Sequence, residues 1–175
     1  MSVFEDLVEV TETLENRYVK EWKNQGKKAV GYVCSYVPEE LFYAADILPY
    51  RLTGKGVDDT SQADAYLTRV NCTFCRCLIE LGFRGEYDFL EGAVFINGCD
   101  HIRRAYENWE AHGSALPFMY ILPVPHRISS RGLKYPLKKL KLENWWRGSL
   151  NECLSDHFSL DFDEGKLLVY LDMIN

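Results

Sequence analysis

Residues 28–47 read KAVGYVCSYVPEELFYAADI, and this stretch decides the fold. It begins with an apolar run of strand length, Lys28 to Val33, whose Val and Tyr side chains suit a buried strand. Cys34 and Ser35 interrupt the run, and Pro38, favoured in the first turn of a helix, opens a helical segment over PEELFYAADI. Glu39 and Glu40 favour that helix N-terminus, which accounts for them without catalysis. A strand, a short loop and a helix in this order make the unit of a parallel sheet, because parallel neighbours need a helical crossover.

The alternation continues in both directions. Upstream, Val3, Leu7, Val8, Leu14, Tyr18 and Trp22 fall on one helical stripe, Ser2 and Glu5 are spaced as a capping box, and Gly26 ends the segment. That spacing predicts one long amphipathic helix over residues 3–22. Downstream, LPYRL (48–52) predicts a second strand, and residues 64–81 a helix closed by Gly82 and Gly85. GAVFI (92–96) reads as a buried strand, Asn97-Gly98 as a turn, residues 100–112 as a helix stopped by Gly113, and PFMYIL (117–122) as a further strand. After a Pro-rich loop at 122–132, a helix from Pro136 carries Leu142, Trp146, Leu150, Cys153 and Leu154 on one face, and a short helix follows Asp163-Glu164. In such sheets ligands sit at the carboxyl ends of the strands.

The 175 residues predict one domain. Hydrophobic residues make up 47% and charged ones 26%, enough apolar material for a core and no bias towards disorder. With 20 basic against 26 acidic side chains the net charge is −6, which would repel a phosphate backbone, so nucleic acid is not expected as a partner. The basic cluster from Arg127 to Arg147 has apolar residues interleaved at helical spacing and reads as a solvated helix face. No basic leader opens the chain and no apolar run approaches ~20 residues, so a cytoplasmic protein with no membrane partner is expected.

Six cysteines in a reducing compartment point to metal or redox chemistry rather than disulfides. Cys34-Ser35 follows the first strand, and Cys99 the third. Cys72, Cys75 and Cys77 crowd the helix between them. On one continuous helix Cys72 and Cys75 lie about 60° apart while Cys77 points roughly 140° away from Cys72, so the three cannot ligate one ion. Cys75 and Cys77 also suit the role of small buried hydrophobes. Two readings stand for Cys99: a turn cysteine, or a thiolate stabilised by the N–H groups of the helix that follows. His101, Arg103 and Arg104 are candidates for an anion or for an exposed helix face. His126, Arg127 and Ser129 lie on the Pro-rich loop, where ligand contacts are common.

The runs GYVCSYVPEELFYAADILPYRLTG, ADAYLTRVNCTFCRCLIELG, YDFLEGAVFINGCDHIRRAYENW and PFMYILPVPH, in this order, resemble the 2-hydroxyacyl-CoA dehydratase D-component family, which includes benzoyl-CoA reductase subunits. The resemblance covers essentially the whole chain. It implies a [4Fe-4S] cluster on each of two related subunits, held by three cysteines per subunit. An ATP-dependent activator protein delivers one electron, and a ketyl radical formed from an acyl-CoA substrate then loses its hydroxyl as water. In the reductase branch similar machinery reduces an aromatic ring.

Carried over by residue, the resemblance implies Cys72 as the first cluster ligand, with Arg76 in the family's arginine position, and Cys99 as the second. Ser35 resembles the position of an oxygen ligand, with Cys34 as a competitor. The third cysteine belongs to a second α/β domain that this chain is expected to lack, and Cys153, on the inner face of a helix, does not replace it. The expected fold class is α/β, a short mainly parallel sheet flanked by helices, Rossmann-like, with a long N-terminal helix and a helical C-terminal tail, in a single domain over 1–175. The expected function is that of a hydro-lyase component working with a related dehydratase subunit, the activator and a chain carrying the missing domain. A reductase component is one alternative. A catalytically incomplete binding module, taking zinc through Cys72, Cys75 and Cys99, is another. Tyr120, Trp145, Trp146 and Tyr170 are expected to cover a partner surface.

Overall fold

The structure is a computed structural model that describes residues 3–113, 116–123, 150, 152–159 and 165–166. Its elements are α1 (Val3–Glu12), α2 (Arg17–Asn24), β1 (Lys28–Tyr32), α3 (Glu39–Ala44), β2 (Ile47–Arg51), α4 (Ser61–Asp64), α5 (Thr73–Phe83), β3 (Gly92–Ile96), α6 (Asp100–His112), β4 (Met119–Leu122) and α7 (Glu152–Phe158). The four strands form one sheet in the order β2-β1-β3-β4, every pair parallel. The expected α/β class is therefore the observed one.

Period-two alternation builds the core. Ala29 and Val33 of the β1 segment, with Ala93 and Phe95 of β3, pack into the layer formed with α5 and α6, beside Leu78, Ile79, Ala105 and Trp109. Val30, Tyr32, Val94 and Ile96 face the opposite layer, where α3 and α7 contribute Leu41, Phe42, Leu154 and Phe158. Both central strands are thus covered on two sides, which explains their nearly uninterrupted apolar sequences. Gly92 allows the closest approach between strands, since a Cβ there would stand 2.6 Å from the Phe118 carbonyl oxygen.

The connections set the position of the site. From β1 the chain crosses to β2 on one side, then returns past β1 to place β3 and β4 on the other. The strand order therefore reverses between β1 and β3, and it is outside the carboxyl ends of such strands that sheets of this kind hold their ligands.

Two expected helices are divided. The single helix over 3–22 is interrupted between α1 and α2, where the Asn16 side chain accepts from the Tyr18 and Val19 N–H groups and caps α2. The Tyr50 hydroxyl donates to the Leu14 carbonyl at 2.9 Å, so a contact from β2 holds the break. Of the expected stripe, Val3 and Leu7 are exposed in this structure. The helix expected over 64–81 is likewise replaced by α4, an irregular segment at 65–72, and α5. Side-chain bonds within that segment compete with helical ones: Asn71 Nδ2 donates to both the carbonyl and the hydroxyl of Thr68. Gly82 lies inside α5, and Gly85, at φ +74°, ends the excursion.

The Pro-rich loop beyond Pro123, with His126, Arg127 and Ser129, the basic cluster to Arg147, and Trp145, Trp146 and Tyr170 lie outside the described residues. Tyr120 is half-buried and stacks on Phe118. Among the described residues, no helix is long and apolar enough to cross a membrane.

Candidate functional site

The residues that leave β1 and β3 at their carboxyl ends form the candidate site. Cys34 takes a left-handed backbone, φ 80°, and turns the chain out of the sheet while its side chain packs against both layers. Ser35 is exposed beyond it, and its hydroxyl accepts from Arg51 Nη1 at 3.4 Å. On the neighbouring strand the Asn97 N–H donates to the Leu122 carbonyl, after which Gly98 and Cys99 lead into α6. Cys99 is the N-cap: its backbone is extended and its Sγ accepts from the Ile102 N–H at 3.5 Å.

Cys72 occupies the same position on α5. Its backbone, at φ −51° and ψ 130°, is not helical, so the angle expected between Cys72 and Cys75 on one continuous helix does not apply. Cys72 and Cys99 are exposed, whereas Cys75, in the first turn of α5, is buried. Burial pushes the Cys75 thiol up to about 12, with further contributions from Cys72 and Cys99, which places both within electrostatic reach of it. Cys75 thus has Cys72, at the start of α5, and Cys99, at the start of α6, within electrostatic reach. Cys77 turns elsewhere, lying against Gly54. Cys153, half-buried on α7, packs on the α3 side of the sheet, away from these three.

Two polar contacts that were not read from the sequence hold this arrangement. Asn71 Nδ2 is spent on Thr68, so its Oδ1 accepts from His101 Nδ1 at 3.0 Å and ties the residue before Cys72 to the first turn of α6. Arg76 binds Asp64 through a fork, Nε to Oδ1 and Nη2 to Oδ2 at 2.7 Å each, and adds a bond to the Thr60 hydroxyl at 2.6 Å. The fork spans the two ends of the 65–72 segment. Beside it, a cavity of about 510 Å³ is lined by Tyr66, Val70, Asn71, His101 and Arg104.

The Arg76 guanidinium, through its hydrogen bonds, holds the Asp64 carboxyl below its ordinary value. A carboxylate lowered on folding contributes stability above its unfolded pKa, near about 4, and loses it as pH falls through the folded value. Asp64→Asn is therefore expected to flatten the acid limb of the stability profile, as checked by urea midpoints between about pH 3 and pH 7.

A family model described as 2-hydroxyglutaryl-CoA dehydratase, D-component, matches residues 34–168, a span that includes Ser35, Cys72 and Cys99. The chain belongs to this family. It is 26% identical over 139 residues to the (R)-phenyllactyl-CoA dehydratase beta subunit of Clostridium sporogenes, covering 79% of this chain and 37% of that protein. It is 32% identical over 102 residues to a subunit of benzoyl-CoA reductase from Thauera aromatica, covering 57% and 26%. Against the beta subunit of (R)-2-hydroxyglutaryl-CoA dehydratase from Acidaminococcus fermentans, identity is 30% over 115 residues, covering 65% and 30%. This D-component chain thus spans about a quarter to two fifths of the length of these curated relatives.

The D-component family is known for iron–sulfur enzymes. Two exposed thiols at helix N-termini suit an anionic, thiolate-ligated cluster. Among the described residues, no set of three or more His, Cys, Asp or Glu side chains is arranged to hold a metal ion. That counts against the expected zinc alternative through Cys72, Cys75 and Cys99.

Proposed function

We propose that this chain forms one side of a [4Fe-4S] site in a 2-hydroxyacyl-CoA dehydratase-type enzyme, with Cys72 and Cys99 as thiolate ligands and Ser35 as an oxygen ligand. The observation that carries this reading is the placement of Cys72 and Cys99 as the N-caps of two adjacent helices, α5 and α6, the latter leaving the carboxyl end of β3. Bound there, such a cluster would supply single electrons for water removal from a 2-hydroxyacyl-CoA through a ketyl radical on the substrate.

The chain's own residues prepare the position. Unpaired N–H groups and the aligned peptide dipoles at the starts of α5 and α6 favour negative charge at both thiolates. The Arg76–Asp64 fork and the Asn71–His101 bond fix where α5 begins relative to α6, so that the thiolate separation is set before any ligand arrives. Arg51, at the end of β2, orients the Ser35 hydroxyl. The partners in this reading are a related dehydratase subunit, an ATP-dependent activator protein and a chain or domain with a further cysteine. The similarity to a benzoyl-CoA reductase subunit supports a second reading, in which the same half-site serves a ring reductase.

Anaerobic reconstitution with iron and sulfide tests the ligand set. The expected result is broad visible absorption and bound iron when this chain is combined with the rest of the enzyme, and loss of both in Cys72→Ser and in Cys99→Ser. Full iron loading of the Cys99→Ser complex would overturn the assignment. Assays of the loaded complex with a 2-hydroxyacyl-CoA and with benzoyl-CoA separate the two readings.

A further inference from the structure

Cys72-Thr73-Phe74-Cys75 is a C-x-x-C sequence laid across a helix start, with the first cysteine as N-cap and the second inside the first turn. The first is exposed and the second is 1% exposed. Residues three apart at a helix start bring their Cβ atoms to about 5–6 Å, and bridged cysteines need roughly 3.5–4.5 Å, so closure needs the two Cβ atoms to approach by about 1–2 Å. Cys72 caps no N–H of its helix, which leaves its sulfur available to Cys75, while Cys99 is occupied with the Ile102 N–H. We propose that Cys72 and Cys75 form a redox-active dithiol that small-molecule disulfides oxidise to an intrachain disulfide.

The exposures assign the roles. Of the pair, only Cys72 is exposed to an oxidant such as oxidised glutathione. The Cys72 thiolate attacks one glutathione sulfur, a mixed disulfide forms and one glutathione departs. The Cys75 thiolate then attacks Cys72 Sγ, breaking the bond to the second glutathione and forming the bond between Cys72 and Cys75. The two protein thiols give up two electrons to one glutathione disulfide, and their protons end on the two glutathione thiols. Cys75 lies three residues from Cys72 at the start of the same helix, so the second step is intramolecular.

The inference stands without the cluster assignment, because the test reads the iron-free chain. The 175-residue protein, purified reduced, is incubated anaerobically with oxidised glutathione, its free thiols are counted, and its peptides are mapped by mass spectrometry. Two of the six free thiols are expected to disappear, with a mass lower by two hydrogens and a Cys72–Cys75 bridge that dithiothreitol reverses. Cys75→Ser is expected to stop at a glutathione adduct on Cys72, and Cys99→Ser to react as the unaltered chain does. A bridge from Cys72 to Cys99, a lasting adduct on Cys72 of the unaltered chain, or retention of all six thiols overturns the proposal. The peptide map of the unaltered chain decides the matter even where Cys75→Ser does not fold.

Discussion

Glu80→Ala is expected to destabilise the protein by about 3 kcal/mol, the combined cost of an orphaned buried donor and a cavity. Glu80 is 0% exposed in the middle of α5. Its Oε2 accepts from the Ala63 N–H at 2.9 Å and its Oε1 pairs with Arg84 Nε at 2.9 Å. Arg84 is a third exposed and also donates to the Asp59 carbonyl, so water and that carbonyl compensate its side of the pair. The Ala63 N–H is buried and has no such recourse. Most of the loss therefore falls on α4, which is too short to hold itself. Glu80→Gln keeps an acceptor for Ala63 and is expected to cost about 1 kcal/mol, the net worth of a weakened bond. Urea midpoints at unchanged slope give both values, and a loss below about 1 kcal/mol for Glu80→Ala would show that α4 is held by packing alone. Because Asp64 follows Ala63 and anchors Arg76, the same substitution is expected to loosen the start of α5, where Cys72 sits.

The sheet was legible because its signals are local. KAVGYV and GAVFI are short apolar runs bounded by turn residues, and the Asn97-Gly98-Cys99 turn announces a helix start in three residues. Their placement in the centre of the sheet follows from burial on both faces. Cys99 as an N-cap was legible for the same reason. The breaks in the two longer helical patterns were not, since each rests on contacts made far along the chain. The Tyr50 hydroxyl reaches Leu14 across 36 residues, and His101 reaches Asn71 across 30. Helical periodicity persists through both breaks, because Leu14, Leu67 and their neighbours still pack against the core without being helical. The sequence therefore placed Cys72 on a helix face when it stands at a helix start. The continuous helix whose angles kept Cys72, Cys75 and Cys77 from sharing one ion therefore does not include Cys72.

Trp109→Ala is expected to cost about 3–5 kcal/mol, the range for removing a buried aromatic side chain. Trp109 is 1% exposed and lies under α5, so close that a Cβ on Gly82 would come within 2.6 Å of its ring. Tyr87 and Phe95 approach it at centroid distances of 5.7 and 5.9 Å, and neighbours this large cannot collapse into the space a truncation leaves. The indole N–H is a different matter. Among the described residues it is the buried side-chain donor without a hydrogen-bond partner, so the position uses the volume of tryptophan and gains nothing from its polarity. Trp109→Phe removes that orphaned donor while keeping most of the ring, and the two effects oppose each other. Its expected cost is about 1 kcal/mol, a small cavity offset by the relieved desolvation. The gap between the two variants in urea unfolding is the informative quantity. A Phe variant as unstable as the Ala variant would mean that the indole N–H is bonded in solution. A gap of about 2 kcal/mol or more would mean that α5 and α6, and with them the two cysteine N-caps, are held together by ring packing.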